Sequence, residues 1–358
     1  PRALLALRGK KQMDRFVREA RAFVGEDDFQ MLEASLVLAD LGLANRAARL
    51  LRAACVQAVP EQQRSPLVLY YLAYFASQQN RQGRAYLKQA AAAHRDFVFA
   101  SRPEAIEVFK YAIGVNPEDA HAHLHVGNLY AHLGRVEEAV GHWRKAANLD
   151  SSLSVAWRNL GLHAWAVEED FSRAEQLYRK AVVARPKDQT LYRDLADVLM
   201  AAGKRPDAIK VMESTPFETL RRADIIIMLA QAYLDEKMYT EAIDLLESTP
   251  YFVNWEGQTI TWDIFHKAHV VRGRQRFDDK EFAAALEDFE ASLTYPENIG
   301  VGRSNRPQEA AAQYWRGMAL QRLGRRADAR SAWKLGAAGH RRSGEQNKYI
   351  ELCKEQLK

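Results

Sequence analysis

Residues 120–153 read AHAHLHVGNLYAHLGRVEEAVGHWRKAANLDSSL, and the order of small and large side chains in this stretch decides the fold. Gly127, Ala139 and Ala146 are small, whereas Val126, Tyr130 and Trp143 are large. Two antiparallel helices that cross closely need small residues at the crossing and bulky ones in the groove beside it. The turn LGR, Leu133–Arg135, places a glycine where the first helix needs a left-handed C-terminal cap. A helix–turn–helix unit is predicted.

The unit recurs along the chain. Ala105, Ala139, Ala174, Ala208, Ala242, Ala285 and Ala329 are spaced by 34, 35, 34, 34, 43 and 44 residues. Gly127 and Gly161 are 34 apart, and the string ESTP occurs at Glu213–Pro216 and again 34 residues later at Glu247–Pro250. The second unit uses Trp157, Leu160, Gly161, Ala174, Tyr178, Ala181 and a terminating Pro186, and further glycine turns stand at Ala202–Lys204 and Leu323–Arg325. A period of 34 is that of the tetratricopeptide repeat, and these residues resemble its consensus. The resemblance implies an all-α fold, a right-handed α-solenoid of roughly eight tetratricopeptide-like helix pairs.

Upstream of Ala105 the pattern is looser. Gln30–Ala54 reads as one repeat, Ser65–Ala93 as another pair, and residues 3–22 as a helix or partial repeat. Three regions are expected: residues 1–100 with degenerate repeats, 101–250 with regular ones, and 251–358 with repeats, two long inter-repeat loops and a capping helix. In that last helix, Asn347–Lys358 can lay Tyr349, Ile350, Cys353 and Leu357 on the final pair.

Composition narrows the function classes. The net charge of +5 is mild, and Lys/Arg and Asp/Glu read as interspersed, a solvated surface with no basic stripe interleaved with aromatics, so no nucleic-acid partner is expected. The longest apolar stretch, Ala223–Leu234, contains Asp224 and Gln231 and falls short of the roughly 18 to 20 residues of a membrane span. No membrane partner is expected. Cys55 and Cys353 show no CxxC or metal spacing, which fits a reducing compartment, with the cytoplasm as the default. The chain opens PRALLALRGKKQ without methionine or an apolar region with a cleavage site, which suggests a piece of a larger protein. No GxSxG, HExxH, Walker or GxGxxG pattern occurs, so a non-enzymatic chain without cofactor is favoured.

Three strings carry a closer resemblance: Ser101–Trp165, then WEG at Trp255–Gly257, then YPENIGVGR at Tyr295–Arg303. In this order they resemble the repeat region of bacterial proteins that begin with a β-sandwich, the domain of unknown function 5107. The resemblance covers about residues 100–335, and the sandwich itself is absent. It implies a carbohydrate context for the parent protein. The family usually continues WEG with further Gly and Glu, whereas this chain reads WEGQTI.

Two candidate surfaces follow. The first helix of each pair lines the inner face of such arrays, and His121, His125, Asn128 and His132 fall at spacings of 4, 3 and 4 on one helical stripe. Two imidazoles at i, i+4 can share a metal ion, but no third ligand is evident and no metal is assigned. Asn128 and Asn159 match the two asparagines of the carboxylate clamp with which some tetratricopeptide proteins hold a C-terminal tail. Leu124, Thr190 and Asp194 occupy its basic positions, which leaves the clamp incomplete, although Arg158 and Arg193 can take an acidic group. Solvated or repeat-bridging roles are the alternative.

The second surface is the pair of insertions, Pro250–Ile260 and Thr294–Pro307, that lengthens two intervals to 43 and 44. Both join a second helix to the next first helix, so they should be neighbours in space. Trp255, Glu256, Tyr295, Glu297, Asn298 and Arg303 are its candidate contact residues, for the missing sandwich or a ligand, with the filling of a packing gap as the alternative. Trp143, Trp157, Trp262, Trp315 and Trp333 fall in helical patterns and read as core. The expected function is a repeat scaffold that binds a protein segment or its own N-terminal domain; the alternative is the helical part of a carbohydrate-binding or carbohydrate-active enzyme.

Overall fold

The computed structural model describes residues 10–24, 27–79, 83–93, 98, 100–216, 222–250, 252, 258–342 and 344–358. Among them are nineteen α-helices and no β-strand. The chain forms two compact units, residues 1–185 and 186–358.

The first unit holds α1 (Lys10–Val24), α2 (Asp28–Asp40), α3 (Ala44–Arg52), α4 (Pro66–Ser77), α5 (Arg84–Ala92), α6 (Ala105–Val115), α7 (Ala120–His132), α8 (Val136–Leu149), α9 (Ser154–Ala166) and α10 (Phe171–Ala184). Neighbours pack as the pairs α2/α3, α4/α5, α7/α8 and α9/α10. The second unit holds α11 (Gln189–Ala201), α12 (Arg205–Glu213), α13 (Ala223–Asp235), α14 (Tyr239–Ser248), α15 (Ile260–Asp278), α16 (Phe282–Ala291), α17 (Ala310–Arg322), α18 (Arg326–Ala337) and α19 (Gly344–Leu357). Here the pairs are α11/α12, α13/α14, α15/α16 and α17/α18. The described helices thus contain the eight expected pairs. Ala105, first of the spaced alanines, opens α6, which packs on α4 and α7 without a first helix of its own among the described residues. Phe109 of α6 meets Tyr70 of α4 edge-on with centroids 5.1 Å apart.

The small residues do what their spacing predicted. A Cβ added to Gly127 would lie 2.8 Å from Cδ1 of Trp143, and one added to Gly161 2.9 Å from Cδ2 of Tyr178. Only hydrogen fits where these helices cross. The turns between paired helices are equally regular: Gly134, Gly203 and Gly324 have φ of 76°, 74° and 79°, the left-handed cap that glycine adopts without steric cost. Where the glycine is missing, Glu169, Lys237 and Lys280 hold the same place at φ of 55°, 63° and 68°. The interval of 35 also has a local cause. Residues 167–170 make a four-residue turn between α9 and α10, whereas three residues join α7 to α8.

The two ESTP strings end α12 and α14 alike. The hydroxyls of Ser214 and Thr215 both donate to the Val211 carbonyl at 2.9 and 3.3 Å, and those of Ser248 and Thr249 both donate to Leu245 at 3.2 and 2.7 Å. Carbonyls of the last turn lack intrahelical partners, and these side chains supply them. At the far end α19 buries Tyr349, Ile350 and Cys353 against α17 and α18, with Leu357 partly buried, and the Trp315 indole donates to the Tyr349 hydroxyl at 3.1 Å. The terminal helix covers the last pair as expected.

Candidate functional site

Of the residues expected on the first-helix face of the first unit, Asn128 of α7 and Asn159 of α9 meet directly, while His125 goes elsewhere. Its ring stacks on Phe109 at 5.0 Å and meets Tyr70 edge-on at 6.4 Å. Only 8% of the residue is exposed. Burial, aided by the neighbouring His121, pushes its pKa down to about 4, because a charged imidazolium is poorly solvated there. His125 is a neutral core residue at neutral pH. Asn128 and Asn159 form a bridge between repeats: the Asn128 side-chain oxygen accepts from the Trp143 indole at 2.8 Å and from Asn159 Nδ2 at 2.9 Å. The amide therefore orders two neighbouring pairs in addition to lining the face. His121 and Arg158 are half-buried and His132 is exposed. Among the described residues no three His, Cys, Asp or Glu side chains form a group able to hold a metal ion.

What the sequence reading missed on this face is apolar. Val155 and Leu162 of α9 are 40% and 48% exposed, with Arg158 between them at i+3. Helical periodicity places 155, 158, 159 and 162 on one stripe. The signal was present: both residues occupy positions outside the small/large consensus, where a buried pair has no use for a branched side chain.

Arg193 lies in the second unit and is engaged by carboxylates. Its guanidinium is 3.3 Å from Asp194, 3.0 Å from Asp197 and 4.0 Å from Asp224. Arg222 doubly engages Asp224 at 2.9 and 3.0 Å and donates to Thr190 at 3.2 Å. Burial raises the Asp197 carboxyl against the opposing pull of Arg193. This face of α11 and α13 is acidic, and Arg193 serves its own carboxylates.

The insertions are neighbours, as the repeat arithmetic predicted. The Phe252 amide donates to the Asn298 carbonyl at 2.9 Å, while Asn298 Nδ2 donates to the carbonyls of Leu246 and Thr249 at 2.9 and 2.8 Å. Asn298 thereby caps the C-terminus of α14 from another repeat. Tyr295 stacks on Trp262 at 4.7 Å with planes 5° apart, and its hydroxyl donates to Glu309 at 2.9 Å. Arg303 grips the same carboxylate through two bonds of 3.0 and 2.7 Å. Burial raises the Glu309 carboxyl, but the bonds from Arg303 and Tyr295 outweigh it and hold its pKa low. Gly300, at φ 71°, turns the chain so that Ile299 is buried and its carbonyl accepts from Thr261 at 3.1 Å. Tyr295 and Arg303 thus pack the second insertion onto its own repeat, and Asn298 ties it to the end of α14. Glu297 and most of the Arg303 side chain stay exposed; Trp255 and Glu256 lie outside the described residues.

A buried charge cluster joins α15 to α16. Asp288, 2% exposed, accepts from His269 Nδ1 at 3.0 Å, from Arg272 at 2.7 Å and from Arg276 at 2.9 Å. Burial raises its carboxyl, yet these three donors prevail and keep the pKa low. His269, Arg272 and Arg276 stand at i, i+3 and i+7 of α15, a cationic stripe legible in sequence once its partner is known. The group holds a helix pair together.

Comparison with known proteins agrees with this geometry. Two tetratricopeptide-repeat family models match the chain, one at residues 99–152 and 270–345 and the other at 168–222, together about half of it. The tetratricopeptide repeat-containing protein trd-1 of Caenorhabditis elegans is 28% identical over 109 residues, and human protein O-mannosyl-transferase TMTC3 is 27% identical over 154. These alignments take in 30% and 39% of the chain but only 14% and 17% of the relatives. Among solved structures, the C-terminal part of a repeat protein from Cytophaga hutchinsonii is 18% identical with a TM-score of 0.43, over 69% of this chain and 93% of that one. No described helix is long and apolar enough to cross a membrane. The chain belongs to the tetratricopeptide-repeat proteins, a family whose arrays generally bind peptides or proteins.

Proposed function

We propose that this chain is a scaffold that seats an extended segment of a partner protein on the first-helix face of α7 and α9. The observation that carries the reading is a stripe of α9 on which the exposed Val155 and Leu162 flank the half-buried Arg158. Two branched apolar side chains flank a guanidinium, beside the Asn128–Asn159 bridge and the His121 and His132 imidazoles of α7. Such a face suits a segment with an apolar residue next to a carboxylate or amide. The segment belongs to another protein or to a further domain of the parent polypeptide. Carbohydrate recognition by the insertion edge fits less well, since of the aromatics in its described part Tyr295 is stacked on Trp262 and Phe252 is buried.

The test is a selection from a displayed peptide library on the full chain, followed by titration of the selected peptides against Leu162→Glu and Arg158→Glu. Affinity should fall about tenfold or more in each variant. Selected peptides that bind both variants as they bind the parent would place the ligand elsewhere.

A further inference from the structure

Positive charge is concentrated near both ends of this chain, and residues 1–24 carry seven Lys/Arg against two Asp/Glu. Residues 322–342 carry six arginines and one lysine against a single aspartate, a net of +6, so that the +5 of the whole chain leaves the remaining residues at −1. The interspersed surface read from composition therefore ends at α17. Beyond it, helical geometry gathers the charge. Arg326, Arg330 and Lys334 recur every fourth residue on α18 and are all exposed, while Ala329, Ala332, Trp333 and Gly336 of the same helix are buried. At 1.5 Å per residue, the three cations stand about 6 Å apart along about 12 Å of helix. Arg322 and Arg325 precede this helix in sequence, and Arg341 and Arg342 follow it.

Internal partners account for part of this charge. Arg325 pairs with Asp328 at 2.8 Å, Arg341 with Glu351, and Arg330 reaches only the Leu357 carbonyl at 3.4 Å. Arg326, Lys334 and Arg342 have no side-chain partner among the described residues, and α19 adds three acidic side chains against two basic ones. Fold stability does not call for this arrangement, because arginines at the start of α18 oppose the positive end of its dipole. Leu335, 59% exposed, lies beside Lys334, and Trp333 is buried.

We propose that the outer face of α18 is a second interaction surface, one that takes an acidic segment of a protein partner. The 6 Å rhythm matches carboxylates at i, i+4 and i+8 of a helix, or at alternate residues of an extended strand. Leu335 supplies an exposed apolar side chain on the same helix, about 100° around from Lys334, and arginine is favoured at protein interfaces. The buried Trp333 leaves this face without an aromatic on which single-stranded bases could stack. The inference does not depend on the function proposed for the α7/α9 face.

Fluorescence anisotropy with the full chain tests it. The probes are a labelled helical peptide with Glu at i, i+4 and i+8 and one Leu, its Gln counterpart, a 20-base-pair DNA duplex, and vesicles containing phosphatidylserine. The acidic peptide should bind, weaken with salt, and lose about tenfold or more in affinity with Arg326→Glu/Arg330→Glu/Lys334→Glu. The Gln peptide should bind far more weakly. The triple variant changes only exposed residues, and an unchanged circular dichroism melt will show that it folds. Unchanged peptide affinity in that variant, or tighter binding of the parent to duplex or vesicles than to the acidic peptide, would overturn the proposal.

Discussion

Gly127→Ala and Gly141→Ala make the same chemical change in one repeat and should act with opposite sign. Gly141 lies within α8, and a Cβ there meets nothing within 4 Å. Alanine should therefore recover the helix propensity that glycine forfeits, about 0.8 to 1 kcal/mol. Gly127 lies in α7, where the new Cβ would sit 2.8 and 2.9 Å from the Trp143 ring and 3.2 Å from the Ala139 carbonyl. The ring is rigid, 7% exposed, and tied to Asn128 by its indole hydrogen bond of 2.8 Å. It cannot tilt without straining that bond, and Asn128 also holds Asn159 of the next pair. Overpacking costs about 1 to 3 kcal/mol and a lost hydrogen bond about 0.5 to 1.5. Against the propensity gain, Gly127→Ala should be destabilising by about 1 to 2 kcal/mol.

The assay is urea unfolding followed by far-ultraviolet circular dichroism and tryptophan fluorescence, with both variants measured beside the parent. Repeat arrays lose stability through nearest-neighbour interfaces, so the fluorescence transition should shift at least as far as the dichroism. A Gly127→Ala midpoint at or above the parent's would refute the close-crossing argument. A lowered midpoint for Gly141→Ala would show that the open surface beside α8 has been misread.

Three further outcomes are expected. Lys280 holds a left-handed conformation that costs a non-glycine residue about 1 to 2 kcal/mol, while glycine adds about 0.4 to 1 of unfolded-state entropy; Lys280→Gly should thus raise stability by roughly 0.5 to 1 kcal/mol in the same urea assay. Asn298→Ala removes two bonds to the end of α14 and should cost about 1 to 3 kcal/mol, with hydrogen exchange quickening around Thr249 if the cap is real and unchanged if it is not. His125 is neutral in the fold, with a pKa near 4, but near 6.5 when unfolded; its contribution is complete above pH 6.5 and is lost as pH falls toward 4, about 2 to 3 kcal/mol by pH 4.5, and His125→Phe should flatten that part of the stability–pH curve.

Periodicity made the helix pairs legible because the constraint at each crossing is steric and local: Gly127 must be small opposite Trp143 whatever the rest of the chain does. The neighbouring insertions were legible for a related reason, since a fixed period turns extra length into a location. Side-chain destinations were harder. His125 shares the stripe of His121 and Asn128 in spacing, yet it points at Phe109 of α6, a helix standing outside the regular pairing. Arg193 matched a binding position, but Asp224, 31 residues away, takes part in holding it. The role of Asn298 depends on carbonyls some fifty residues earlier, a relation that helical spacing does not encode. Net charge concealed the α18 stripe, because a sum over 358 residues says nothing of where its terms lie.

Equivalent positions in this array have the same backbone and different chemistry, and that difference bears on selectivity. Asn159 on α9 and Asp194 on α11 occupy matching places 35 residues apart, as do Arg158 and Arg193. In the first unit the amide bridges to Asn128 and leaves Arg158 between two exposed apolar side chains. In the second, Asp194 and Asp197 draw Arg193 onto themselves. On the function proposed above, an acidic ligand group should be favoured on α7/α9 over α11/α13, where three aspartates face Arg193. Discrimination between partners often rests on such a repulsive element as much as on an attractive one. Neutralising Asp197 by Asp197→Asn would release part of Arg193 and lower the repulsion, so acidic peptides should gain affinity for the α11/α13 face while binding at α7/α9 stays as it was.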